Sequence, residues 1–184
     1  MARAQAYDEW DDPGMAVSED ECLAYSPQEV AQGRVKEVVQ AVRLLLRMNQ
    51  TGQDKPATTE ASAKRLLDVA TWYCRAAGLE GVSRDEVTTL PAPSTAEGKK
   101  LSASALKTTA PDLIAMLRER AEADLRRSVT LGRRCEGARR ADGKWSREDR
   151  SASNRLANAI LKEATTCEKL LELWASTTKG ASDG

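Results

Sequence analysis

The chain has 184 residues and a mass of 20.0 kDa, enough for one domain with a sizeable core. It contains no His and no Phe, which excludes Ser-His-Asp and Cys-His catalytic arrangements and His-ligated metal sites. The 28 Lys and Arg residues balance 28 Asp and Glu residues, but the two signs are concentrated in different parts of the chain.

The four cysteines are far apart in the sequence, so they form no CxxC zinc or redox motif. We identify no signal peptide and no apolar run long enough to span a membrane, so we expect reduced thiols and an intracellular, cytoplasmic protein without a membrane partner. No phosphate-binding loop or buried acid/base pair is recognisable either. The sequence therefore predicts a protein that is not an enzyme and that has no metal and no small-molecule cofactor.

Three parts of the chain differ in composition. Residues 1–25 contain Asp8, Glu9, Asp11, Asp12, Glu19, Asp20 and Glu21 against one cation, Arg3. We predict that residues 1–25 form a flexible acidic arm, that residues 26–177 form a helical domain, and that residues 178–184 form a disordered tail.

The helical domain begins with two predicted long helices. The sequence SPQE predicts an N-cap at Ser26 and a capping box with Glu29. Helical spacing of apolar residues follows at Val35, Val38, Val42 and Leu45. A second helix is predicted from about Thr59 to Ala77, ended by Gly78.

The middle of the chain is predicted to be short or irregular. The sequence SRDE, residues 83–86, predicts another capping box, on a helix of one or two turns. The sequence LPAPSTAEGKK, residues 90–100, predicts a loop because it contains Pro91, Pro93, Ser94 and Gly98.

Two further long helices are predicted in the second half. One starts near Pro111, and Gly132, Gly137 and Gly143 favour its end before a loop. The other opens at Ser146. Their apolar rows are Leu113, Leu117, Ala121, Leu125, Ser128 and Leu131 on the first, and Leu156, Ile160, Ala164, Cys167, Leu171 and Trp174 on the second. With no alternating strand pattern, the fold class is all-α, and the four long helices predict an antiparallel four-helix bundle.

Residues 126–150 hold a concentration of arginine. On an ideal helix, Arg126 and Arg133 lie opposite the apolar row, so we expect these arginines to project away from the core. Arginine binds phosphate oxygens in pairs, and an Arg-rich surface suits the regular charge of a nucleic acid. The cations of this segment are the candidate nucleic-acid-binding residues, namely Arg126, Arg127, Arg133, Arg134, Arg139, Arg140, Lys144, Arg147 and Arg150.

The same pattern has other interpretations. Glu119, Glu122 and Asp124 lie among these arginines, and many helices carry salt-bridged solvated faces that bind nothing. The arginines also suit an adaptor or scaffold that docks an acidic partner protein. A DNA-binding regulator is a third possibility, although no tight pair of short helices with a recognition helix is visible.

One stretch resembles a known family. The runs Arg139-Arg140-Ala141-Asp142 and Arg150-Ser151-Ala152-Ser153-Asn154 are similar in order and separation to a segment of the coat proteins of rod-shaped, tobamovirus-type plant viruses, and APDLIAML, from residue 110, is loosely similar to a helix of that family. The resemblance implies a four-helix bundle that binds single-stranded RNA with arginines and an aspartate. It therefore adds Asp142 to the candidate nucleic-acid-binding residues, beside Arg139, Arg140 and Arg150. This chain departs from the family in having no Phe.

Together, these observations predict a non-enzymatic helical protein that binds single-stranded nucleic acid, namely RNA, through its Arg-rich segment. The resemblance further implies self-association as an assembly subunit, with a place in a virion as a coat or nucleocapsid protein.

Overall fold

A computed structural model describes residues 26–52, 55–141 and 147–179, and the side chains within 26–52, 55–125 and 151–177. These residues form helices and their connections, and none of them lies in a strand. The helices are α1 Pro27–Gln50, α2 Pro56–Ala77, α3 Arg84–Thr88, α4 Ala96–Lys107, α5 Ala110–Ala141 and α6 Arg147–Lys179. The all-α prediction is confirmed, whereas the predicted arm and tail fall outside the described residues, except for 178 and 179, which belong to α6.

The four long helices contact one another in a closed series. Helix α1 packs against α2, α2 against α6, α6 against α5, and α5 against α1. The short helices α3 and α4 both lie against α1. Helix α1 therefore contacts every other described helix and is the central element of the fold.

The first turn of α1 is capped as its sequence predicts. The Glu29 amide donates to Ser26 Oγ at 3.2 Å, and the Ser26 amide donates to Glu29 Oε2 at 2.7 Å. This reciprocal pair satisfies two amides that the helix itself leaves without acceptors, and Pro27 at the first helical position has no amide to satisfy.

We expect Ser26→Ala to lower the free energy of unfolding by about 1 kcal/mol, because the cap bond to the Glu29 amide is lost. Urea unfolding followed by circular dichroism measures this change. The matched control is Ser83→Ala, since Ser83 precedes α3 but its side chain makes no capping bond. Equal losses of unfolding free energy in the two variants would contradict the assignment of Ser26 as the capping residue.

Helix α2 is longer than predicted at its start. It begins at Pro56 rather than near Thr59, because proline suits the first helical position. It ends as predicted at Gly78, whose φ of 70° is left-handed and therefore favours glycine.

The middle of the chain differs from the prediction in two ways. The SRDE capping box is wrong, since the Ser83 side chain caps nothing. The loop predicted over residues 90–100 is also wrong from residue 96, where α4 begins. Thr95 caps this helix, because its Oγ1 accepts a hydrogen bond from the Gly98 amide. Any side chain at Gly98 would collide with the carbonyl oxygen of Ala92, so this glycine serves close packing and not a loop.

The breaks predicted at Gly132 and Gly137 in the third long helix are also wrong. Helix α5 continues through Gly132 and Gly137 to Ala141 and is 32 residues long. A glycine costs a helix only about 1 kcal/mol relative to alanine, and Ala, Arg and Glu residues around these glycines favour helix. Gly143 lies outside the described residues.

The core joins residues from α1, α2, α5 and α6, with Val87 and Ala105 added from α3 and α4. Leu113, Leu117, Leu156 and Ile160 share this core, as the apolar rows predict. Other row residues are buried as well, namely Val38, Val42, Leu45, Ala121, Cys167 and Trp174. Val35, Leu125, Ala164 and Leu171 are partly buried, whereas the side chains of Ser128 and Leu131 are not described.

Of the adjacent aromatic residues Trp72 and Tyr73 on α2, only Tyr73 lies in the core. Trp72 is 38% exposed, with Lys162 Nζ lying 2.8 Å from its ring centroid. A cation over an indole face is a favourable contact that leaves the ring at the surface. No helix in the described part of the chain combines the length and apolar character needed to cross a membrane.

Candidate functional site

The backbone of the Arg-rich segment is divided between two helices. Arg126, Arg127, Arg133, Arg134, Arg139 and Arg140 belong to α5, and Arg147 and Arg150 belong to α6. Their side chains lie outside the described part of the structure, as do Asp142 and Lys144 entirely. Their contact with a nucleic acid therefore stays a prediction.

Helical continuity changes the expected setting of the last arginine pair. Arg139 and Arg140 were predicted in a glycine-broken loop, and they belong instead to the last turn of α5. Positions 126, 133 and 140 are seven residues apart on one uninterrupted helix, a spacing that returns to nearly the same side of the helix. The segment thus continues directly from the core-packed part of α5.

A buried ionic cluster ties the long helices together. Arg34 of α1 donates from Nη2 to Glu163 Oε1 of α6 at 2.5 Å, and the two side chains are only 4% and 0% exposed. The hydroxyl of Tyr73, from α2, donates to the other oxygen of Glu163. One carboxylate therefore joins three helices.

The cluster extends to α5 just before the Arg-rich segment. Arg34 Nη1 contacts Glu37 at 2.5 Å and lies 3.7 Å from Asp124 Oδ2 of α5. Glu37 in turn forms a salt bridge with Arg120 Nη2, also of α5, at 2.8 Å. Asp124 lies two residues before Arg126, so the cluster holds the base of the Arg-rich segment against α1.

Burial and the partner's charge shift the pKa values of Glu163 and Arg34 in opposite directions. Burial raises the pKa of Glu163, although Arg34 and the Tyr73 hydroxyl favour its ionised form. Burial alone would lower the pKa of Arg34, but the Glu163 carboxylate outweighs that effect and leaves it above its ordinary value. The pair is stable in the interior because each ion is the other's main partner.

The Tyr73 hydroxyl of the cluster and the nearby Cys167 thiol both stay protonated. Burial, reinforced by Glu163, raises the pKa of the Tyr73 hydroxyl, which stays protonated and serves as a donor. Burial likewise raises the pKa of Cys167 to about 12, with Glu163 adding to the shift. A thiol with so high a pKa is a poor nucleophile, so the cluster has the character of a structural anchor.

Sequence reasoning missed Arg34 and Glu163, yet a signal was present. Arg34 lies between Ala31 and Val38 on the buried face of α1. Glu163 lies three residues after Ile160 and four before Cys167, within the apolar row of α6. Two opposite charges at core positions of two helices indicate a buried pair.

Among the described residues, no group of cysteine, aspartate and glutamate side chains is arranged to hold a metal ion. Comparison of the chain with protein-family models, with curated proteins and with solved structures finds no match. A functional proposal for this protein therefore depends on its own residues.

Proposed function

We propose that this protein is a non-enzymatic helical subunit that binds single-stranded RNA through residues 126–150. The observation that carries the proposal is the continuity of α5. Its first half, up to Leu125, packs in the domain, and its second half carries six arginines against one glutamate over residues 126–141. A continuous helix that carries so many cations suits a polyanion with regularly spaced phosphates.

The carboxylates at the base of the segment pair with arginines that precede it in the chain. Glu122 bonds Arg118 at 2.8 Å, Asp124 faces Arg34, and Glu37 bonds both Arg34 and Arg120. These carboxylates are engaged by cations of the folded domain. Single-stranded RNA would supply negative charge to the arginines beyond residue 125.

We also propose that the four long helices form an antiparallel four-helix bundle and that the subunits associate with one another on the RNA. The closed series of contacts α1–α2–α6–α5–α1 supports the bundle. The resemblance of Arg139-Arg140-Ala141-Asp142 and the run from Arg150 to coat proteins of rod-shaped plant viruses supports assembly on RNA. A docking surface for an acidic protein is the competing function, and it uses the same arginines.

Nucleic acid is expected to co-purify with the protein at low salt. Size-exclusion chromatography with absorbance at 260 and 280 nm should show a raised ratio that falls after high-salt washing, because counterions compete for phosphate contacts. Ribonuclease, and not deoxyribonuclease, should remove the excess absorbance. A protein that elutes free of nucleic acid and captures an acidic protein instead would favour the competing function.

A further inference from the structure

An apolar groove separates α1 from α5 on the surface of the domain. Its volume is about 320 Å³, which is at the lower end of the range for small-ligand sites. Ala41, Leu113 and Leu117 form its floor and are 2–3% exposed, whereas Met116 on its edge is 56% exposed. Leu44 completes the apolar lining. Met116 therefore adds an exposed apolar side chain beside this buried apolar floor.

The rim of the groove is polar and carries a positive excess. Lys36 and Arg120 lie on it, together with Gln40 and Glu37. Glu37 pairs with Arg34 and with Arg120, and Lys36 adds a further positive charge to the rim. The groove thus combines an apolar floor with cations at its edge, and it suits an apolar side chain with acidic neighbours.

We propose that the groove binds Trp10 of the chain's own N-terminal residues 1–25. The sequence DEWDD, residues 8–12, places the largest apolar side chain type directly between two pairs of carboxylates. Trp10 is apolar, like the floor of the groove. The acidic residues on either side of it are opposite in charge to Lys36 and Arg120 on the rim, namely Asp8, Glu9, Asp11 and Asp12. This inference concerns an intramolecular contact and does not depend on RNA binding.

The length of the chain permits this contact. Residues 1–25 join the domain at Ser26, the N-cap of α1, and α1 itself forms one wall of the groove. Lys36 to Leu44 lie ~15–27 Å along α1 from Ser26, at 1.5 Å per helical residue. The sixteen Cα-to-Cα steps from Trp10 to Ser26 span up to ~55 Å when the chain is extended. The connection is therefore long enough to turn back along the helix.

The contact has a consequence for the Arg-rich segment. Arg120 on the groove rim lies six residues before Arg126 in the same helix. Seating Trp10 places four carboxylates beside this end of the segment. An acidic arm in that position would compete with any anion for the first arginines.

The test is ¹⁹F NMR of the full chain labelled with 5-fluorotryptophan. The chain has four tryptophans, and Trp10→Phe assigns the signal of Trp10. We expect the Trp10 signal of the wild type to differ from that of a peptide of residues 1–25. In Met116→Glu, whose carboxylate lies on the groove edge and repels the acidic segment, the Trp10 signal should move to the peptide position.

The control variant is Leu161→Glu, since Leu161 is 51% exposed and belongs to α6 rather than to the groove. It should leave the Trp10 signal unchanged. The signal of Trp174 reports folding in each variant, because this ring is 5% exposed and its Nε1 donates to Ser62 Oγ at 3.0 Å. A wild-type Trp10 signal at the peptide position, or equal shifts in both variants, would overturn the proposal. A signal that moves with protein concentration would overturn it too, because the contact would then join two copies.

Discussion

Replacing Arg34 with methionine is expected to lower the free energy of unfolding by about 3–5 kcal/mol at pH 7, the cost of breaking a buried ion pair by removing one partner. The variant leaves Glu163 at 0% exposure, with the Tyr73 hydroxyl as its remaining donor in the cluster. The methionine itself fills part of the space, so the cost comes from the uncompensated carboxylate. Urea unfolding followed by circular dichroism measures the difference.

Two further variants distinguish the effect of breaking the buried Arg34–Glu163 pair from the effect of removing an exposed charge. Arg120→Met removes an arginine of the same cluster whose side chain is 60% exposed, and it should cost within about 1 kcal/mol. The triple variant Arg34→Met, Tyr73→Phe and Glu163→Leu removes all three central polar groups together. It should regain most of the loss, because an apolar replacement leaves no buried charge. Equal losses from Arg34→Met and Arg120→Met would contradict the assigned burial.

The loss from Arg34→Met should also depend on pH. Without Arg34, burial raises the pKa of Glu163 further above its ordinary value of 4.5, and Glu37, Tyr73, Asp124 and Cys167 supply no compensating cation. Below about 4.5 the carboxyl is protonated in both the folded and the unfolded chain, so this penalty is absent. It grows as the pH rises from 4.5 to the folded pKa. The variant should therefore lie closer to the wild type at pH 4 than at pH 7, and an unchanged difference would contradict this account.

Replacing Arg139 and Arg140 together with alanine is expected to weaken RNA binding and its salt dependence. Each phosphate neutralised on a single strand contributes about −0.7 to the slope of log K against log salt, so the slope should become shallower by about one to one and a half units. The loss should be similar for RNAs of different sequence, because phosphate contacts carry no sequence information. Alanine favours helix, so α5 should remain helical. Fluorescence anisotropy with labelled RNA at several salt concentrations measures the slope.

The matched control is Lys99→Ala with Lys100→Ala. These two lysines are adjacent and exposed, and they belong to α4. Replacing both with alanine changes the net charge by the same amount as replacing Arg139 and Arg140. The control should leave the slope within half a unit of the wild type. An equal change in both double variants would show that net charge, and not the Arg-rich segment, determines RNA binding.

The long helices were predictable because their signals are local and repeated. The capping box at Ser26 and the spacing of Val38, Val42 and Leu45 define α1 without any tertiary information. The shared core of Leu113 and Ile160 follows in the same way from two apolar rows. These features depend on residues three or four apart, which a single sequence displays directly.

The wrong predictions arose where one residue type has several roles. Gly98, Gly132 and Gly137 were interpreted as loop residues, yet each lies within a helix. At Gly98 the reason is the close approach of the Ala92 carbonyl, which is a tertiary contact and invisible in the sequence. For α4 as a whole, the Pro- and Ser-rich residues before it concealed the buried pair Leu101 and Ala105.

The site was predictable only in its charge pattern. The Arg-rich segment is evident in the sequence, whereas its anchor is not, because Arg34 and Glu163 are 129 residues apart. Their pairing depends on how α1 and α6 face each other. A charged residue inside an apolar row indicates burial, but the identity of its partner comes from the packing of the helices.

The central claim is that residues 126–150 bind single-stranded RNA, and a salt titration of the wild-type protein tests it most directly. Labelled single-stranded RNA is titrated with the protein from about 20 mM salt upward, and log K is plotted against log salt. If at least three arginines neutralise phosphates, the slope should be about −2 or steeper. Absence of RNA binding at the lowest salt, or binding with a slope near zero, would contradict the claim and would assign the arginines to a solvated or protein-docking surface.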